Sequence, residues 1–124
     1  MTGAPMYAVI FEVEPRPGRE QDYIDHAAAL RSEVEAIDGF ISVERFESLT
    51  KKGRLVSISF WRDADAVRRW REHARHRAVQ LAGRGAIFAD YRITVAAVER
   101  QYGMFDREAA PQEMPPAPAD LTAR

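Results

Sequence analysis

The chain has 124 residues, of which 46% are apolar, and its 18 lysines and arginines nearly balance its 19 aspartates and glutamates. This length and balance are typical of one compact domain and exclude a disordered, highly charged chain. Because there is no cysteine, disulfides, thiolate catalysis and cysteine-ligated metals are excluded as well.

The N-terminal sequence, the hydropathy and the charge pattern of the chain predict its location in the cell and its binding partners. The first five residues lack the basic start and apolar run of a signal peptide, and no apolar stretch approaches the length that spans a bilayer. We therefore expect a cytoplasmic protein with no membrane partner. The arginine-rich segment 62–84 can hold an anion or form a solvated helix face. It carries no nucleic-acid motif, so no nucleic-acid partner is predicted.

The first two predicted elements differ in the spacing of their apolar residues. Residues 6–14 are rich in β-branched and aromatic side chains and predict a strand, which the prolines and glycine of residues 15–18 break. From about Arg19 to Ala36 the apolar positions recur every three or four residues, which predicts an amphipathic helix. Gly39 is expected in a left-handed conformation at its end. The predicted buried stripe is Tyr23, Ala27, Leu30, Val34 and Ile37.

Two strands and a second helix follow. Residues 40–48 and 55–61 are separated by a turn at residues 50–53, which predicts a hairpin. Asp63 is expected to be the N-cap of the second helix, because its carboxylate can accept from the free amides of the first turn. The buried stripe of that helix is predicted to be Val67, Trp70, Ala74, Ala78 and Leu81.

The C-terminal part divides into a last strand and a tail. Residues 87–102 are expected to form an extended strand that outruns its neighbours. Residues 1–106 are assigned to the folded domain and residues 107–124 to a tail rich in proline and alanine. Such a tail is either disordered or lies on a partner subunit.

The order β-α-β-β-α-β predicts a ferredoxin-like α+β fold, with a four-stranded antiparallel sheet and both helices on one face. The strands carry apolar residues at both odd and even positions, and therefore on both faces. In the first strand, Val9 and Phe11 alternate with Ala8 and Ile10. A second apolar face that no helix covers is typical of an interface. We therefore predict a homodimer through the sheet faces.

Several short motifs in order resemble those of the antibiotic biosynthesis monooxygenase family, over roughly residues 6–102. They lie at residues 37–40, 59–63, 70–76, 83–84, 91–93 and 100–102. The resemblance implies a dimeric α+β barrel in which each protomer has a pocket between sheet and helices. Members include cofactor-free monooxygenases, haem-degrading monooxygenases, quinol monooxygenases and proteins without known activity.

The branches of that family agree with the chain to different degrees. In the haem-degrading branch, Trp70 matches a tryptophan, but the asparagine position falls on Phe11 and the histidine ligand position on Gln80. Haem is therefore disfavoured as a cofactor. In the anthrone-oxidising branch, Trp61 matches a tryptophan, while Ser57 replaces an asparagine.

The predicted site follows from what cofactor-free oxygenation requires, namely a base, an anion-binding group and a dry pocket. His76 or His73 is the candidate base, with Trp70 and Trp61 as further catalytic candidates. Arg92 or Arg84 is expected to hold the oxyanion. No metal and no cofactor are expected. The aromatic residues predicted to bind the substrate are Phe11, Phe46, Phe60 and Phe88.

Three functions remain open on this basis. The first is oxidation of a small aromatic, anthrone or quinol-like molecule by O2 without a cofactor. The second is a non-catalytic dimeric module that binds a small ligand or serves a stress response. The third is haem binding or haem degradation. Several site residues also have a structural alternative. The histidines could lie at the surface, Trp70 could pack the core, Trp61 could fill the space between sheet and helix, and Arg92 could form an inter-subunit salt bridge.

Overall fold

A computed structural model describes residues 5–82 and 87–111 of the chain, with the side chains of residues 76–82 excepted. The predicted order of elements is confirmed along these residues. The elements are β1 (Tyr7–Pro15), α1 (Glu20–Glu35), β2 (Phe40–Glu47), β3 (Leu55–Trp61), α2 (Ala64–Ala82) and β4 (Phe88–Ala97).

The four strands form one antiparallel sheet in the order β2-β3-β1-β4. The hairpin of β2 and β3 turns through Gly53, whose φ of +86° is the left-handed conformation that glycine adopts without steric cost. Strands β1 and β3 lie at the centre, and β4 lies beside β1. This is the ferredoxin-like topology that the order of elements predicted.

One face of the sheet packs against both helices. Val9 and Val13 of β1 are each 1% exposed and contact residues of α2 and α1 respectively. Because successive side chains of a strand point to opposite faces, the odd-numbered residues of β1 face the helices and the even-numbered ones face away. Trp61 and Ser59 of β3 are buried on the helix side in the same way.

The helix ends follow the local sequence. The Asp63 carboxylate accepts a hydrogen bond from the amide of Ala66 at 2.9 Å, which confirms the predicted N-cap of α2. Helix α1 ends at Glu35, with Ala36 as its C-cap. Gly39 does have a positive φ, of +96°, but its left-handed turn lies after the cap and leads into β2.

The last strand is shorter than predicted, because β4 ends at Ala97 instead of Tyr102. The amide of Val98 still donates to the carbonyl of Met6 at 2.7 Å. Beyond that bond β1 has ended, so the described part of the chain offers residues 99–102 no strand to pair with. Met104 and Phe105 follow with 79% and 94% exposure. Residues 112–124, most of the predicted tail, lie outside the described residues.

The face of the sheet away from the helices is apolar at its centre. Across the strands, Ile10 pairs with Ile58 and Ala8 pairs with Phe60. These side chains are half-buried, and the described part of the chain places no helix over them. Among the described helices, none has both the length and the apolar character needed to cross a membrane.

Candidate functional site

A cavity of about 640 Å³ lies between the helix-facing side of the sheet and the two helices. Its volume is in the range of small-molecule pockets. All four strands contribute to its floor, and both helices contribute to its walls. It lies within a single chain, between sheet and helices, where the family resemblance predicts a pocket.

The floor of the cavity is a row of side chains that crosses the sheet. The register pairs Arg45 with Ser57, Ser57 with Phe11, and Phe11 with Ile93. All four residues line the cavity. The floor therefore changes from cationic and hydroxyl-bearing on β2 and β3 to aromatic and aliphatic on β1 and β4.

Four aromatic rings form one end of the cavity. The Phe11 ring centroid is 5.8 Å from that of Tyr91 and 6.1 Å from that of Phe88. Tyr23 of α1 adds a fourth ring, 5.7 Å from Phe88. Edge-to-face and tilted contacts at these distances stabilise aromatic clusters. Their exposed faces suit a flat, apolar ligand.

Tyr23 and Arg45 form the principal polar pair of the cavity. Burial raises the pKa of the Tyr23 phenol above its ordinary value of 10.0, and the nearby Arg45 guanidinium opposes that rise by its charge and by hydrogen bonding. Tyr23 therefore stays protonated at neutral pH and can donate its hydroxyl hydrogen to a bound ligand.

His73 is the predicted base that the structure places at the cavity. Its Nε2 atom lies 3.3 Å from Oε1 of Glu33 on α1. The distance is that of an ion pair, but the geometry is not that of a hydrogen bond, and within the described residues this buried nitrogen has no hydrogen-bond partner. His26 of α1 also lines the cavity. The other predicted base, His76, has its side chain outside the described residues.

The two tryptophans have different surroundings. Trp61 is fully buried, its Nε1 donates to the Ser59 hydroxyl at 2.9 Å, and it packs in the core beside Val9. Trp70 lines the cavity and lies 6.5 Å from Trp61, measured between ring centroids. Trp61 thus supports the cavity wall from behind, while Trp70 can contact a ligand.

The structure separates the predicted substrate-binding residues into two groups. Phe11 and Phe88 line the cavity. The other three predicted residues lie on the opposite face of the sheet, because each is paired with a residue whose side chain points away from the helices. The pairs are Phe46 with Val56, Phe60 with Ala8, and Arg92 with Glu12. These three predicted residues cannot contact a ligand in this cavity. Arg84 lies outside the described residues.

Sequence reasoning missed Arg45 as a ligand-binding candidate. Arg71 and Arg75 of α2, which also line the cavity, belong to the arginine-rich segment that was predicted either to hold an anion or to form a solvated helix face. A signal for Arg45 was present, since it shares the parity of Val43 on β2. Ser57, which stands where the anthrone-oxidising branch has asparagine, lines the cavity as well. Within the described residues, no three histidine, aspartate or glutamate side chains form a cluster suited to a metal ion.

Comparison with known proteins identifies relatives of the chain. Residues 6–81 match the model of a family described as antibiotic biosynthesis monooxygenase. A jasmonate monooxygenase of Pyricularia oryzae is 43% identical over 93 residues, which cover 75% of this chain and 43% of that protein. The chain therefore spans less than half the length of this fungal relative. The uncharacterised Bacillus subtilis protein YqjZ is 33% identical over 97 residues, covering 78% of this chain and 82% of that protein.

Solved structures share the fold at lower identity. The cofactor-independent oxygenase SnoaB of Streptomyces nogalater has a TM-score of 0.64 and 16% identity, over 79% of this chain and 97% of SnoaB. The haem degrader MhuD of Mycobacterium tuberculosis, solved with two haems in its active site, has a TM-score of 0.62 and 17% identity, over 78% of this chain and 99% of MhuD.

Proposed function

Because this chain belongs to the antibiotic biosynthesis monooxygenase family, we propose that it is a cofactor-independent monooxygenase for a small aromatic, anthrone or quinol-like substrate. The observation that carries this proposal is the aromatic-walled cavity, which has a histidine on its wall. A flat ring can pack against the cluster of Phe11, Phe88 and Tyr91. The mostly apolar surface there favours electron transfer from a deprotonated ring to O2.

The proposed reaction needs no external reductant. A base removes a proton from an activated ring carbon or phenol, and the resulting anion passes electrons to O2. In an anthrone, one oxygen atom converts the ring methylene into a carbonyl and the other leaves as water, so the methylene supplies all the electrons that reduce O2. In a hydroquinone, the ring gains one oxygen atom as it becomes a hydroxyquinone, and the other oxygen atom again leaves as water. His73 is proposed to be the base, held by its contact with Glu33.

Oxygen consumption tests this proposal directly. The purified full-length chain is supplied in turn with an anthrone, a hydroquinone, a catechol and jasmonate, the last because a relative is named for it. We expect oxygen uptake with at least one of them, unchanged by EDTA. The variant His73→Gln should lower the rate about 100-fold, as loss of a general base does.

Matched variants sharpen the test. Arg68→Gln changes an exposed residue that pairs with Asp65 outside the cavity, and it should leave the rate unchanged. If His76→Gln lowers the rate and His73→Gln does not, His76 is the base. Absence of uptake with every substrate would contradict the proposal and favour a non-catalytic ligand-binding module.

Haem is the competing ligand, since His26 and His73 line the cavity and imidazole is a common haem ligand. MhuD shows that a protein of this fold holds haem. Titration with haemin distinguishes the two functions. A sharp Soret shift that saturates at a stoichiometric ratio would favour the haem function, whereas an absent shift supports the proposal above.

A further inference from the structure

We infer that the cavity selects ligands with a carboxylate at one end of an apolar ring system, and that Arg45 binds this carboxylate. The inference rests on the proposed function, because it names the substrate class of the same cavity.

The change in polarity along the cavity floor determines how a ligand is oriented in the cavity. Arg45 and Ile93 are separated by three strand-to-strand steps of roughly 4.8 Å each, or about 14 Å across the sheet. Arg45 and Ser57 form the polar end, and the rings of Phe88 and Tyr91 lie at the other. A ligand of two fused rings with one charged substituent matches this gradient.

No ion pair among the described residues compensates the positive charge at the polar end of the cavity. Within residues 5–82 and 87–111, Arg45 makes no ion pair with a carboxylate, nor do Arg71 and Arg75 at the cavity wall. By contrast, Arg68 and Arg69 of α2, which do not line the cavity, pair with Asp65 and Asp38. A positive potential over an apolar pocket attracts an anionic ligand.

Hydrogen-bond donors converge at Arg45. Its guanidinium presents a planar fork that matches both oxygens of a carboxylate. The Tyr23 hydroxyl lies close to that guanidinium and remains protonated at neutral pH. Ser57 faces Arg45 across the β2–β3 pairing and adds a third donor. Together these donors can hydrogen-bond to the oxygens of a carboxylate, whereas a neutral ring offers them no comparable acceptor.

Position distinguishes Arg45 from the other arginines at the cavity. Arg71 and Arg75 extend from α2, so they approach from the wall. Arg45 belongs to the sheet floor, where the paired strands hold its backbone in register with Ser57. Its place in the strand register fixes the distance from the bound carboxylate to the ring-binding end of the same sheet.

Binding of an isosteric ligand pair tests the inference. The full-length protein is titrated with 2-naphthoate and with 2-naphthamide, which share a ring system and differ in charge. We expect naphthoate to bind at least about tenfold more tightly, as charge-assisted bidentate hydrogen bonds predict. In Arg45→Gln the preference should fall to about twofold or less, while naphthamide affinity stays unchanged and shows that the cavity is intact.

The controls make every outcome decisive. Arg68→Gln removes the same charge outside the cavity and should keep the preference. Arg45→Lys keeps the charge without the fork and should retain part of it, and it also replaces Arg45→Gln if that variant does not fold. Equal binding of the two ligands by the unaltered protein would overturn the inference, as would a preference that survives Arg45→Gln. Loss of preference in Arg71→Gln or Arg75→Gln alone would overturn the assignment to Arg45.

The two proposals fail in different ways. Naphthoate preference that depends on Arg45, without oxygen uptake on any substrate, would refute the monooxygenase and leave the carboxylate site standing. Oxygen uptake on neutral substrates by a protein that binds both naphthalenes equally would refute the carboxylate site alone.

Discussion

Gly39 is the residue at which the junction of α1 and β2 depends on the absence of a side chain. Its φ is +96°, and an added Cβ would clash with the Cβ of Ala66 in α2. A side chain at position 39 would therefore strain the backbone through the positive φ. It would also overpack the core, because Ala66 is fully buried and cannot move away. Gly39 thus lets the turn approach the start of α2 closely.

We predict that Gly39→Ala destabilises the protein strongly. The left-handed conformation alone costs about 1–2 kcal/mol for a residue with a Cβ, and overpacking against Ala66 adds about 1–3 kcal/mol. Denaturant unfolding of the variant and of the unaltered protein measures the sum.

Gly53→Ala is the matched control for that measurement. Gly53 has a similar φ of +86°, but a Cβ there meets nothing within 4 Å. Its loss of stability should therefore be confined to about 1–2 kcal/mol. Equal losses at the two glycines would show that the close approach to Ala66 has no energetic weight.

At the scale of elements, the start of α2 is held by a cluster of acids and arginines. Asp63 caps the helix through the amide of Ala66, and this hydrogen bond, followed by the contact with Arg62, lowers the pKa of its carboxyl. The Asp38 carboxyl also has a lowered pKa, because Arg62 donates two hydrogen bonds to it. The cluster joins the end of α1 to the start of α2.

The lowered pKa values predict a loss of stability in acid. A carboxyl whose pKa is lower in the folded than in the unfolded chain stabilises the fold fully above the unfolded value, here near 3.8. That stabilisation is lost as pH falls through the lower, folded value. Thermal unfolding followed from neutral pH down to about pH 2 should therefore show a falling midpoint below about pH 4.

Two variants of Asp63 separate capping from charge. Asparagine is also a good N-cap, so Asp63→Asn should lose little stability at neutral pH, and its midpoint should depend less on acid. Asp63→Ala removes the cap and should unfold at lower temperature throughout the range. If both variants retained the full acid dependence of the unaltered protein, Asp63 would not contribute to it.

At the scale of the whole molecule, the described residues place no helix over one face of the sheet. Its centre is formed by Ile10, Ile58 and Phe60, and Phe46 is 45% exposed at the β2 edge. We propose that two copies of the chain pair through this face, which would bury apolar area on both protomers. The cavity lies on the other side of each sheet and stays open to ligands.

We predict that Ile58→Glu converts a dimer into a monomer. A two-fold interface through the sheet centre would place two buried carboxylates close to each other, at a cost that opposes association. Sedimentation velocity at micromolar concentration measures the change, and circular dichroism confirms that the variant is folded.

Leu49→Glu is the control for that variant, since Leu49 is fully exposed in the turn between β2 and β3. It should sediment like the unaltered chain. A monomeric unaltered protein at the same concentration would contradict the pairing, and so would an unchanged dimer in Ile58→Glu.

Local sequence determined most of the architecture of this protein. The change of period between residues 6–14 and 19–36, the N-cap at Asp63 and the turn at Gly53 each depend on neighbours along the chain, so they could be read before any fold was known. The last strand was predicted too long because its end depends on where β1 begins to pair, which is a property of another element.

Tertiary structure alone decided which face of each strand meets the helices. The strands are apolar on both parities, so the pattern could not tell Phe11 and Phe88, which line the cavity, from Phe46 and Phe60, which lie on the opposite face. The same choice placed Arg45 at the cavity and Arg92 away from it. Side-chain alternation is a local property of a strand, but the partner that covers a face is set by the order of strands and the packing of distant helices.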